Sequence, residues 1–258
     1  MAKQELVKAP EQQLAKLAPG ALAERPLRLK PGDKRGMETF TKDDISIPRL
    51  ALAQALSPQV TEGDPAYVAG MTAGDLFNSM TSENYGREVF VQILRKDKLR
   101  AVEFFPIEDG GGIRDLNVPL SDDRCKWGED GEKPRATIFR DYIGRLILPD
   151  GRREMIALSF KSTGIKVAKQ LNGLIAVRNA SIFEGVYRIT TDTELVPKPH
   201  KIYVVENAGW ATDEDSATGA ELWEAMKDID VASQIDRDAH DDFPTVPHEP
   251  GAGPAEDM

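Results

Sequence analysis

One stretch restricts the fold of this chain more than any other: Met155 to Val177, reading MIALSFKSTGIKVAKQLNGLIAV. Met155, Ile156, Leu158 and Phe160 form an apolar, β-leaning run, and Lys161-Ser162-Thr163 then turns polar. After it, Ile165, Ala168, Leu171, Leu174 and Ile175 recur at steps of three and four, which sets them on one helical face. Ser162 or Thr163 supplies a hydroxyl suited to accept from a free amide of the first turn. Lys166 and Lys169 are three apart, so their ammonium groups leave on a shared polar side. A strand therefore feeds a helix, with basic residues around the joint.

The segments on either side read as strands. Val89, Val91 and Ile93 alternate with Glu88, Phe90 and Gln92, a half-buried strand pattern. Arg95-Lys96-Asp97-Lys98 reads as a charged turn from which Leu99 to Phe105 returns as a second strand. Asp109 to Trp127, with three consecutive glycines, reads as a long loop. Thr137 to Leu148 resumes strand character. Pro149-Asp150-Gly151 is a hairpin turn, and Glu154 to Phe160 is its return strand. Gly185 to Thr191 and Lys201 to Glu206 follow the helix as two more strands. The expected fold class is mainly β with one inserted helix (α+β), in the strand succession of an OB-like antiparallel barrel. Periodicity also leaves another α+β sheet open. Residues 1–42 are rich in Lys, Glu, Pro and Ala without a sustained apolar face and read as a disordered N-terminal arm. Residues 43–212 are the expected OB-like nucleic-acid-binding domain. Residues 213–258 are an acidic, largely disordered tail, with a brief helix expected over Glu221 to Val231.

Charge divides along the same boundary. The 258 residues carry a formal net charge of −10, yet Asp213 to Met258 alone hold 14 acidic and 2 basic residues. The rest is slightly basic, and Arg152 to Arg188 contains 7 basic residues against Glu154 and Glu184. Such blocks mark interaction tails. No run of eighteen apolar residues is present to span a membrane, and the first residues lack the apolar centre of a secretory signal. Cys125 is the single cysteine, and two of the three histidines (His200, His240, His248) lie in the tail, so neither a disulfide framework nor a zinc site is expected. A cytoplasmic location follows, the host's if the chain is phage-encoded. There is no phosphate loop, nucleophile elbow, H-E-x-x-H or dinucleotide fingerprint. The carboxylates sit mainly in the glycine-rich loop and the tail. The chain is read as a non-enzyme with no catalytic residue, cofactor or metal.

What remains is aromatic residues interleaved with cations. Phe104-Phe105 follow Arg95, Lys96, Lys98 and Arg100; Trp127 lies beside Arg124 and Lys126; Phe139-Arg140-Asp141-Tyr142, Phe160-Lys161 and Tyr187-Arg188 continue the theme. Cations that track phosphates beside rings that stack on bases hold single strands without sequence preference. The expected groove residues are Lys96, Lys98, Arg100, Phe104, Trp127, Arg140, Tyr142, Lys161, Lys166 and Lys169. Phe160 and Tyr187 are expected in the core, because an alternating strand turns half its rings inward. In the tail, Asp236, Asp238, Asp241, Asp242 and Phe243 form an acidic element with one aromatic, suited to compete with phosphates or to recruit a partner.

The strand order, the basic-aromatic strands and this tail together resemble the single-stranded DNA-binding proteins of bacteriophages and bacteria. IPRLALAQALSPQV, GDLFNSMT and LSFKSTGIKVAKQLNGLI also resemble a family of phage-encoded proteins, over about residues 43–212. The resemblance implies an accessory of replication or recombination that coats single-stranded DNA and recruits other proteins through its tail, with homo-oligomers open. The bacterial pattern ends on its aromatic, whereas Phe243 lies 15 residues before the end. A second class also satisfies the residues: a virion structural protein or regulator of a host enzyme, without nucleic-acid affinity, docking through Ile45 to Val60.

Overall fold

The computed structural model describes residues 46–106, 111–195 and 199–227. In chain order the strands are β1 (Leu50–Leu52), β2 (Leu76–Asn78), β3 (Asn84–Gly86), β4 (Glu88–Lys96), β5 (Arg100–Phe104), β6 (Ile113–Val118), β7 (Ala136–Ile147), β8 (Arg153–Lys161), β9 (Gly185–Glu194) and β10 (His200–Trp210). Helix α1 (Ile165–Ala176) lies between β8 and β9, and α2 (Asp213–Met226) follows β10. The protein is mainly β, with antiparallel sheets and two helices among the described residues.

β7 is the spine. Its apolar residues face both ways, so both faces bury surface and both edges are paired. β8 runs along one edge from Phe139↔Lys161 to Ile147↔Arg153, joined by the expected turn at Asp150-Gly151. The other edge is shared. β4 pairs from Phe90↔Ile147 to Lys96↔Tyr142, and β5 continues in the same direction from Arg100↔Phe139 to Glu103↔Ala136. The charged run is therefore a break in one long strand and not the expected reversal. Asp97 bridges it: its buried N–H donates to the Asp141 carbonyl at 2.9 Å, and its carboxylate accepts from Lys98 N–H at 2.9 Å. The reversal comes later, because Ile113–Val118, expected as loop, forms β6 against β5. Its side chains are largely exposed, so ladder hydrogen bonds and not apolar alternation make it a strand.

β9 pairs with β4, and β10 with β9, giving the order β10-β9-β4-β7-β8. That order is the five-stranded barrel's, short of its last pairing. Among the described residues β8 and β10 do not pair, so the sheet stays open. β1 enters the seam instead. Ala157 N–H donates to the Pro48 carbonyl at 2.8 Å, Tyr203 hydroxyl to the Leu50 carbonyl at 2.8 Å, and the Gln54 side chain bonds the Lys201 backbone twice. Ile47, Leu50, Leu52 and Ala53 are buried as a result. The docking surface expected over Ile45 to Val60 is thus largely consumed by the protein's own core, although Leu56 is exposed and Ile45 lies outside the described residues.

That core is the inner face. Val89, Val91 and Ile93 meet Tyr142, Leu146, Ile156, Leu158, Phe160, Tyr187 and Ile189, and α1 adds Val167, Ala168 and Leu171. Gly144 is needed where β4 and β7 cross, since a Cβ there would lie 2.7 Å from Val91 Cγ2. α1 begins after a 3-10 turn at 162–164 with Gly164 at the N-cap, so neither Ser162 nor Thr163 caps it as expected. Asp213–Met226 forms α2, which contains the first six residues of the helix expected over Glu221 to Val231 but begins eight residues earlier, capped by Thr212, whose hydroxyl accepts from Asp215 N–H at 3.1 Å.

Candidate nucleic-acid interface

Alternation along β7 sends Tyr142 and Leu146 into the core, and therefore Phe139, Asp141, Ile143 and Arg145 to the outer face. At one end of that face Phe139 is flanked by its register partners, Arg100 of β5 and Lys161 of β8. The Arg100 guanidinium lies 4.2 Å and the Lys161 ammonium 5.7 Å from the Phe139 ring centroid. Lys161 is also 5.8 Å from the ring of Phe104, which sits 6.3 Å from Phe139. Arg100 is held by Asp141, with Nε donating to Oδ2 at 2.6 Å and Nη2 to Oδ1 at 3.4 Å. Asp141 has no exposed surface, so the charge that fixes Arg100 lies beneath the face. Phe139 is covered and Phe104 is half-buried, which leaves Phe104 as the ring a flat ligand would meet. Beside it Phe105 is exposed, with the Arg114 guanidinium 5.7 Å away.

The structure thus brings together three of the ten expected residues, Arg100, Phe104 and Lys161, around Phe139. Lys96 and Lys98 are exposed on either side of the buried Asp97. Lys166 and Lys169 are exposed on α1, Lys166 extending towards Glu194 of β9 at 3.6 Å. Trp127 is exposed, but its neighbouring cations are engaged. Arg124 bonds Asp122, Glu103 and Asp115 at 2.8–3.1 Å, and Lys126 pairs with Asp123 at 2.8 Å. Hydrogen bonds from Arg124 lower the Asp122 carboxyl to about 2. Tyr142 is a correction. Its ring is fully buried against Phe160, and its hydroxyl donates to Asn172 Oδ1 at 2.8 Å beside the Ala168 carbonyl at 3.1 Å. Burial pushes its pKa up to about 12. Arg140 shares that inward parity, pairs in register with Phe160, and has a buried Nε without a hydrogen bond. Phe160 and Tyr187 are core residues, as expected. Asp236, Asp238, Asp241, Asp242 and Phe243 lie outside the described residues.

The other end of the same face lies under α2. Arg145 donates to Asp215 Oδ1 at 2.7 Å and to Gln92 Oε1 at 3.1 Å, while Arg153 reaches both Asp215 oxygens at 3.1 and 3.2 Å. The Gln92 amide donates to the Phe183 and Asp215 carbonyls, and Arg95 donates to the Met226 carbonyl. Hydrogen bonding from Arg153 holds the Asp215 carboxyl below the usual carboxylate range. Gly219 allows this approach, since a Cβ there would lie 2.9 Å from Gln92 Nε2 and Phe183 Cβ. Between the two ends Ile143, Ala157 and Met155 pack with Ile47 and Met226.

Among the described residues no group of three His, Cys, Asp or Glu side chains is placed to hold a metal ion, and no helix is long and apolar enough to cross a membrane. The family model described as Pam3 phage gp34-like protein matches residues 18–232. No curated protein and no solved structure matches the chain.

Proposed function

We propose that this chain, which belongs to the Pam3 phage gp34-like family and is thus a bacteriophage protein, is a non-catalytic single-stranded DNA-binding protein serving phage replication or recombination. The observation that carries this reading is the cluster of Arg100, Phe104, Phe139 and Lys161, gathered from three strands onto one outer face. Ring faces next to fixed cations suit a chain that alternates flat bases with phosphates, and each stacked base contributes about 1–3 kcal/mol. In the five-stranded barrel the second and third strands carry oligonucleotides, and β7 and β8 hold that place here. Lys96 and Lys98 extend the basic surface at the strand break. The acidic segment after α2 recruits protein partners in this reading.

Fluorescence titration with oligo-dT at two salt concentrations tests it. Affinity should fall steeply with salt, because each neutralised phosphate releases counterions. Equal affinity for duplex DNA, or no response to salt, would refute it.

A further inference from the structure

β10 ends on an aromatic residue that the core does not take. Trp210 is 61% exposed, although the backbone on both sides of it is fixed. It pairs with Gly185 of β9, the next amide, Ala211 N–H, donates to the Glu184 carbonyl at 2.9 Å, and Thr212 then caps α2. Leaving so large a ring in water on a rigid rung forgoes the stabilisation that its burial would give.

Against the ring stands Arg178, just past the end of α1. Its guanidinium carbon lies 4.6 Å from the Trp210 ring centroid and 5.1 Å from that of the buried Tyr187. Its Nη2 donates to the Val186 carbonyl at 3.4 Å, to Asn207 Oδ1 and to the Gly209 carbonyl. The chain is shaped to allow this. β10 bulges between Asn207 and Gly209, and Gly209 holds a φ of 113°, which a residue with a side chain rarely adopts. At Gly185 a Cβ would lie 2.9 Å from Arg178 Nε. The acceptors that fix Arg178 are all neutral. Arg124, Arg145, Arg152, Arg153 and Arg188 lie against carboxylates that cancel their charge, whereas among the described residues Arg178 keeps its own.

We propose that Trp210 is a second stacking platform for single-stranded nucleic acid, with the Arg178 charge drawing in the phosphates beside the stacked base; this rests on the strand-binding reading above. A ring already fixed on a rigid rung loses little freedom when a base stacks on it. The uncancelled cation favours a nucleotide over an apolar peptide as the occupant. Trp127 is as exposed, but the cations beside it in sequence, Arg124 and Lys126, are paired with carboxylates. Trp210 lies on β10, three strands from β7 in the sheet order, so it is separate from the Phe104–Phe139 cluster and lengthens the stretch of strand covered.

The chain has three tryptophans, so Trp127→Phe/Trp223→Phe leaves the emission of Trp210 as a local probe. The full-length double variant is titrated with dye-labelled oligo-dT, whose anisotropy reports binding anywhere on the protein. It is also titrated with unlabelled oligo-dT, whose quenching of the emission reports stacking on Trp210. Both curves should share one midpoint. Polyphosphate, which carries charge and no ring, should compete with oligo-dT yet quench nothing. In the otherwise unaltered chain, Trp210→Ala should weaken oligo-dT binding about ten-fold, and Trp210→Phe, which keeps a ring, about two-fold. Binding by anisotropy without quenching, or equal quenching by polyphosphate, overturns the platform and leaves the strand-binding reading standing. No anisotropy change refutes that reading, and the platform with it. Emission that follows protein concentration and ignores oligo-dT assigns the ring to a contact between copies of the chain, which also overturns the platform.

Discussion

The two ends of the outer face of β7 solve one problem in opposite ways. Each carries an arginine that must be neutralised near a sheet surface. At the open end the carboxylate, Asp141, comes from β7 itself and lies beneath Arg100, so neutralisation leaves the face clear. At the covered end the carboxylate, Asp215, comes from α2 and lies above Arg145 and Arg153, so neutralisation closes the face. The position of the counter-charge, and not the arginine, decides whether a surface is available to a ligand.

The comparison breaks most visibly at Asp141. Asp141→Ala leaves Arg100 held against Phe139 without its buried partner, and should cost about 3–5 kcal/mol in urea unfolding. If the loss is below about 1 kcal/mol, Asp141 does not organise the open end. Asp215→Asn should cost about 2–3 kcal/mol, but locally. Faster amide exchange over α2, with unchanged protection in β4 and β7, is the expected pattern. Uniform loss of protection would mean that α2 is part of one cooperative unit. Phe104→Ala should weaken oligo-dT binding by about 1–3 kcal/mol with little change in stability. Removing 213–258 uncovers Arg145 and Arg153, which should tighten binding and steepen the salt dependence by about 1.4, two phosphates at the single-strand value. An unchanged slope would show that the strand never reaches the covered end. Acid gives the mildest test. The folded pKa of Asp215 is depressed, so its contribution is intact above about 3.9 and fades as pH falls through the folded value. Exchange over α2 should accelerate in that window.

What periodicity controls is legible in the chain alone. The β8–α1 unit, the turn at Asp150-Gly151 and the inward set Val89, Val91 and Ile93 all carry a one-sided apolar pattern. β6 and α2 carry none: one is an exposed edge strand, and the other is anchored by Asp215 and Gly219 instead of an apolar stripe. The break at Asp97 reads as a turn because charges cluster there, while the hydrogen bond that keeps the strand continuous is a backbone contact with Asp141. The candidate site was legible in kind but not in parity. Ile138, Phe139, Tyr142 and Ile143 put apolar groups on both faces of β7, so composition could not tell that Tyr142 points in and Phe139 out. Only pairing with β5 and β8 settles which ring meets Arg100 and Lys161.

Leu50 accepts a hydrogen bond from a tyrosine 153 positions downstream. That bond cannot form before β10 exists, so the first described strand of the chain is completed by the last. Until then its leucines have no interior to occupy. Ordering so remote in sequence slows assembly, and a chain truncated before Tyr203 would leave that stretch stranded in water.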